Sequence, residues 1–117
     1  MNKWISVIET PTFTKITEKI ADSNVIEELV EHIAKHPESG EIIEGTGGCR
    51  KLRWKRRKES GKSGGMRVIY YFYNEQMPIY FLLAYPKNVL DNITTETKHS
   101  LKQMVKNLVE KHKGALL

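Results

Sequence analysis

Lys51 and Arg53 stand two positions apart in a stretch, residues 49–54, that alternates apolar and charged side chains. Such alternation marks a β-strand, and it sends both cations to one face while Leu52 and Trp54 go to the other. Arg67 opens a second strand-like run, and Lys87 follows the end of a third. If these strands are neighbours, four cations converge on one open face. Cations so placed repel one another and call for an anion. A phosphate compensates their charge and accepts hydrogen bonds from guanidinium and ammonium groups. Lys51, Arg53 and Lys87 each have an ordinary solvent-facing or loop reading alone, whereas Arg67, between Met66 and Val68 at the mouth of a central strand, is less easily read so; the chemistry rests on the set.

The charge around them is concentrated. Residues 50–67 hold nine basic side chains against one acid, Glu59, a net +8, while the other 99 residues carry −3. Arg50, Lys55, Arg56, Arg57, Lys58 and Lys62 make up the rest of this run, with Asn88 beside Lys87. A solvated loop is the plain reading of a basic run; one that begins and ends inside strand-like segments points instead to a surface for a polyanion. Tyr71 and Tyr73 share the parity of Arg67 and are candidates to stack a base, against an ordinary core role.

Other chemistries find little in the chain. His32, His36, His99 and His112 fall on helical segments with no acid or cysteine partner completing a ligand set, so no metal site and no cofactor is expected. The scarcity of acids in the basic run disfavours a two-metal nuclease. The glycines at 45, 47 and 48 lack the Lys-Ser/Thr and the strand-to-helix context of a phosphate-binding loop. Cys49, the single cysteine, permits no internal disulfide and reads as a small buried group.

The elements that must position the cations follow from patterning. At 117 residues and 13.5 kDa, one domain over residues 1–117 is expected. Apolar residues at 39% and charged residues at 28% are ordinary globular usage. No run approaches the roughly 18 apolar residues of a membrane span, and the first residues do not resemble a secretory leader. The expectation is a cytoplasmic protein without a membrane partner. Residues 4–9 read as a strand. Thr10-Pro11 caps a helix carrying Phe13, Ile16 and Ile20. Residues 22–24 supply a second cap, with Asn24 and Glu27 spaced like a capping box. The helix after them shows Ile26, Leu29, Val30 and Ile33 on one stripe and ends at Pro37 and Gly40. After the glycine loop come strands over 49–54, 66–73 and 79–85, joined too tightly for crossovers and therefore antiparallel. Thr94 caps a last helix with Leu101, Met104, Val105 and Leu108 on its stripe, and residues 114–117 are expected to fray. The order is β-α-α-β-β-β-α: an α+β fold with a small, mostly antiparallel sheet and helices packed on one face.

Three segments together resemble a known family: Gly45-Thr46-Gly47-Gly48-Cys49-Arg50-Lys51-Leu52-Arg53, Gly64-Gly65-Met66-Arg67-Val68-Ile69-Tyr70-Tyr71-Phe72 and Tyr85-Pro86-Lys87-Asn88. They look like the RelE/ParE toxin superfamily, and are most similar to its HigB-type branch. The resemblance covers nearly the whole chain and implies a toxin of a type II toxin–antitoxin system. It implies a metal-independent, ribosome-dependent mRNA endoribonuclease that inhibits translation. The implied partners are a cognate antitoxin with a helix-turn-helix domain, the ribosome with its mRNA, and operator DNA only through the antitoxin. The paired basic residues of such enzymes match Lys51 and Arg53, and the arginine opening the central strand matches Arg67. Lys87 matches the basic position after the last strand only in part, since Asn88 stands where the RelE pattern has arginine. The C-terminal catalytic tyrosine of RelE has no counterpart.

On this reading Lys51 is the base that takes the ribose 2′-OH proton. Arg67 and Arg53 stabilise the phosphorane. Lys87 positions the phosphate or assists the leaving oxygen. Arg50, Lys55, Arg56, Arg57, Lys58, Lys62, Tyr71 and Asn88 are expected to hold RNA or the ribosome. Two other classes share some of these features: a ParE-like poison of DNA gyrase, which works by protein binding, and a non-catalytic RNA-binding module.

Overall fold

The computed structural model describes residues 4–58, 65–88 and 92–115. Its elements are β1 (Val7–Glu9), α1 (Pro11–Ile20), α2 (Ser23–Lys35), β2 (Glu41–Ile42), β3 (Arg50–Trp54), β4 (Met66–Tyr71), β5 (Ile79–Pro86) and α3 (Thr95–Ala115). The strands form one sheet in the order β1-β5-β4-β3-β2. β3, β4 and β5 make the expected antiparallel meander. β1 joins β5 in parallel; the chain between them runs through α1, α2 and the other three strands, long enough for a parallel return. The predicted order holds, with one added strand: β2, two residues long, pairs with β3 at the sheet edge. It is too short for any periodicity to show.

Local chemistry sets the helix starts. Thr10 Oγ1 accepts the Phe13 N–H at 3.3 Å, and Pro11 fills the first turn of α1. Thr94 Oγ1 likewise accepts the Thr97 N–H at 3.1 Å. The expected capping box at Asn24 and Glu27 is not what starts α2. Asp22 is the cap residue, and it makes no side-chain cap bond, because its carboxylate accepts instead from Arg57 Nη1 at 3.0 Å and the Lys58 N–H at 3.4 Å.

α1 and α2 cover one sheet face, as expected. Phe13, Leu29 and Ile33 pack there on Trp54, Met66, Val68, Tyr70, Ile79 and Phe81. Phe13 meets Phe81 edge to face at 5.1 Å, a favoured geometry for two aromatic quadrupoles. The expectation of helices on one face describes these two only; α3 takes the opposite face. Its Leu101 and Val105 are buried with Cys49, Ile69, Tyr71, Met77 and Leu82. Met104, expected on that stripe, is exposed. α3 continues through Ala115 rather than fraying at Gly114.

A register shift between Ile69 and Tyr70 lets both faces of β5 be apolar. Ile69 pairs with Leu83 but Tyr70 with Phe81, so one residue of β5 is extra. Leu82 thereby joins the α3 side while Phe81 and Ile79 join the α1–α2 side. β4 ends at Tyr71, two residues short of its predicted extent.

The edge strand is fastened from below. Burial pushes the Tyr70 phenol above its ordinary range, so it stays protonated. Its O–H donates to the Pro37 carbonyl at 2.7 Å, and its oxygen accepts the Gly40 N–H at 2.8 Å. Gly40 has room for no side chain: a Cβ there would lie 2.9 Å from the Tyr70 ring. Tyr70→Phe would strand the buried Gly40 N–H, and is expected to cost about 1–3 kcal/mol. An unchanged urea midpoint would show the pairing to be dispensable.

Candidate functional site

The α3 face of the sheet has two ends of opposite character. Odd-numbered residues of β3 and β4 face this way, beginning with Cys49, Ile69 and Tyr71 under α3. Toward the other end the same rows continue as Lys51 and Arg53 on β3 and Arg67 on β4, with Arg53 directly opposite Arg67 in register. Tyr85 pairs with Arg67 from β5. The covered end is core and the uncovered end is a cleft of about 710 Å³, lined by Ser39, Glu41, Lys51, Leu52, Arg53, Arg67, Lys87 and Asn92. All four cations singled out from the sequence therefore meet in one cleft.

Arg67 is the most unusual of them. It is only 7% exposed. Its guanidinium Nη1 donates to the Met66 carbonyl at 3.4 Å, long for an N–H···O contact. Among the described residues no carboxylate lies within 4 Å of it. A buried cation is normally paired, and here its neighbours are further cations. Lys87 is placed by its N–H, which donates to the Gly65 carbonyl at 3.1 Å, tying the end of β5 to the start of β4.

Glu41 is the residue that sequence reasoning missed. It lies on β2 directly opposite Lys51 in register and is the one carboxylate among the described lining residues. Ser39 and Asn92 also line the cleft and carried no signal. Only the recognition of β2 as a strand, with Glu41 directly after a helix-ending Pro-Glu-Ser-Gly stretch, would have placed it across from a lysine.

Most of the expected RNA-gripping residues are engaged elsewhere. Arg50 has the opposite parity to Lys51, and its Nη1 donates to the Gly40 carbonyl at 2.8 Å and the Glu38 carbonyl at 3.2 Å. Lys55 lies 3.5 Å from Glu28 on α2. Arg56 Nε donates to the Ile20 carbonyl at 2.8 Å, satisfying an end of α1, and its own carbonyl accepts the Asp22 N–H at 2.9 Å. Arg57 pairs with Asp22. Lys55, Arg56 and Arg57 thus hold the chain after β3 against α1 and α2, while Arg50 ties β3 to the segment before β2, so each of the four has a structural partner within the chain. Lys58 and Asn88 are exposed outside the cleft lining, and Lys62 lies outside the described residues. Tyr71 is corrected: it is 6% exposed, packed in the core beneath α3, and has no free face for a base. Tyr73, stacked on Tyr71 at 6.5 Å, is more exposed but stands beyond the end of β4.

Cys49 belongs to the covered end. Burial pushes its thiol up to about 11, only partly offset by its contact with Thr46. The thiol stays neutral at physiological pH, and a neutral thiol is a poor nucleophile. Alkylation of Cys49 at pH 8 is expected to proceed only at the rate of unfolding; rapid labelling of the native protein would contradict this. Among the described residues no group of three or more metal-ligating side chains occurs, and no helix is long and apolar enough to cross a membrane.

The fold is a five-stranded α+β sheet with three helices, and it gathers a cluster of cations in a cleft where α3 leaves one face open. Residues 6–117 match the family model of the RelE toxin of the RelE / RelB toxin–antitoxin system. The chain belongs to this family: it is a toxin of a toxin–antitoxin system, a class of protein whose partner is an antitoxin.

Proposed function

We propose that this toxin, of the HigB-type branch, is an mRNA endoribonuclease that acts on the translating ribosome. The observation that carries the reading is Arg67, a buried guanidinium with no acidic partner among the described residues, lining a cleft with Lys51, Arg53 and Lys87. A scissile phosphate supplies the missing counter-charge.

In the proposed step the ribose 2′-oxygen attacks the adjacent phosphorus. Its proton passes to Nζ of Lys51, which acts as base in its uncharged amine form and leaves the step as the ammonium, and the bond to the 5′-oxygen breaks. That oxygen takes up a proton from Lys87 or from water, leaving a 2′,3′-cyclic phosphate and a 5′-OH. Arg67 and Arg53, facing each other across β3 and β4, stabilise the charge that builds on the phosphorane. Lys87, fixed at the end of β5, holds the phosphate or assists the leaving oxygen. The step is carried by side chains.

Magnitudes argue for a partner. A positioned base is worth roughly 10²–10⁴-fold and one preorganised donor roughly 10²–10³-fold. Orienting the reacting nucleotide can supply far more, yet the cleft offers no exposed aromatic among its described lining residues to fix a base. The ribosome, which already holds mRNA in a set path, would supply that orientation. Neutralisation by a helix-turn-helix antitoxin, operator binding through it, and a cytoplasmic site of action complete the proposal.

Controlled expression followed by primer extension on translated and untranslated transcripts tests it. Cuts confined to translated mRNA, with cyclic-phosphate ends, are the expected result. Intact mRNA with DNA damage would replace this reading by gyrase poisoning. RNA binding with no cuts would reduce the protein to a binding module.

A further inference from the structure

We propose that one flank of α3, carrying Lys98, Lys102 and Lys106, is a second RNA-binding surface, which grips the phosphate backbone of a structured RNA helix outside the cleft. The inference rests on the cleavage reading for its biological setting, a ribosome whose RNA is mostly helical, but not for its binding chemistry.

The three lysines recur every fourth residue. On an α-helix that spacing advances each side chain by about 6 Å along the axis and by only about 40° around it. They form a row whose pitch is comparable to the separation of successive phosphates on one strand. Lys102 and Lys106 are exposed and Lys98 is half-buried. None forms an ion pair among the described residues, whereas Arg50, Lys55 and Arg57 all do. Glu44, in the adjoining loop, is not paired with them either.

The row is supported from beneath. A Cβ added to Gly45 would lie 3.7 Å from Lys98 Cδ, and one on Gly47 would lie 3.4 Å from Lys102 Cγ. Both glycines have positive φ, so at these two positions the β2–β3 loop passes close under the lysine stems with no side chain between. Stems backed in this way hold their ammonium heads outward.

Position and composition indicate the ligand. Asn92 lines the cleft and Ile93 is buried with Tyr85, so α3 starts at the cleft and the row leads away from it. No Phe, Trp or Tyr occurs in α3. Surfaces for single strands combine cations with aromatic stacking, whereas duplex RNA is held largely through phosphates and 2′-hydroxyls. A lysine row without aromatics suits the second.

The test is the triple variant Lys98→Gln, Lys102→Gln, Lys106→Gln of the full chain, with its melting temperature as a fold control. Binding to a short RNA hairpin, an unstructured RNA strand and a DNA duplex is titrated across KCl concentrations. The expected result is a fall in the hairpin's log K against log salt slope by roughly two to three, at about 0.9 for each phosphate no longer neutralised, with single-strand binding unchanged. An unchanged hairpin slope overturns the proposal. So does equal loss on the single strand, or an equal slope change on DNA. The readout does not depend on cleavage: a parent protein that leaves mRNA intact would remove the nuclease reading and leave this measurement standing.

Discussion

Arg67→Met is expected to lower translation-coupled mRNA cleavage by about 10²–10³-fold while leaving the protein at least as stable as the parent. The two halves of this result have one cause. Arg67 is buried and stands directly opposite Arg53, and like charges facing each other across a strand pair are destabilising by a few tenths of a kcal/mol up to about 1 kcal/mol. The fold gains little in return, since the guanidinium's bond to the neighbouring carbonyl is a long one. A methionine of similar reach fills the space without the charge. Stability given up at a site in this way is expected where a ligand supplies the missing counter-charge. Arg67→Lys keeps the cation but loses the planar fork, and should fall between parent and Met. Primer extension and thermal melting on the same preparations check both halves. Full cleavage by Arg67→Met would remove the residue from the site; a collapsed melting temperature would make it a structural residue.

The legibility of this chain in its sequence divides along physical lines. Alternation over residues 49–54 put Lys51 and Arg53 on one face, and short connections made β3, β4 and β5 antiparallel. Together these sufficed to bring Arg67 beside Arg53. The same parity placed Tyr71 with the cations, correctly for the face and wrongly for the environment. Parity cannot say where α3 lies along that face, and α3 covers one end only. The extra residue in β5 was equally hidden, because IYFLLAY is apolar at nearly every position and shows no break. Charge density could not separate engaged from unengaged cations for a related reason. Arg50, Lys55, Arg56 and Arg57 read as free cations until the carbonyls and carboxylates of α1, α2 and the following loop come within reach through the fold. Glu41 lay in the blind spot of any periodic reading, on a strand two residues long.

Glu41 also sharpens the second large effect. Lys51→Met is expected to reduce cleavage by about 10²–10⁴-fold, the worth of a positioned general base, and Glu41→Gln by no more than a few-fold. Both side chains line the cleft and face each other in register, so either could be imagined taking the 2′-OH proton. Electrostatics and placement separate them. A carboxylate near a phosphorane raises the energy of the charge that the arginines are stabilising, whereas a lysine that has accepted the proton adds to that stabilisation. Lys51 stands on β3, paired on both sides by β2 and β4. Glu41 is exposed on the edge strand, and groups on rigid inner elements hold catalytic geometry better. Its exposed carboxylate lines a cleft otherwise charged by cations and offsets part of their mutual repulsion. Single-turnover cleavage of a translated message by the two variants decides it. If Glu41→Gln suffers the larger loss, the proton goes to the carboxylate and Lys51 becomes a phosphate-holding residue.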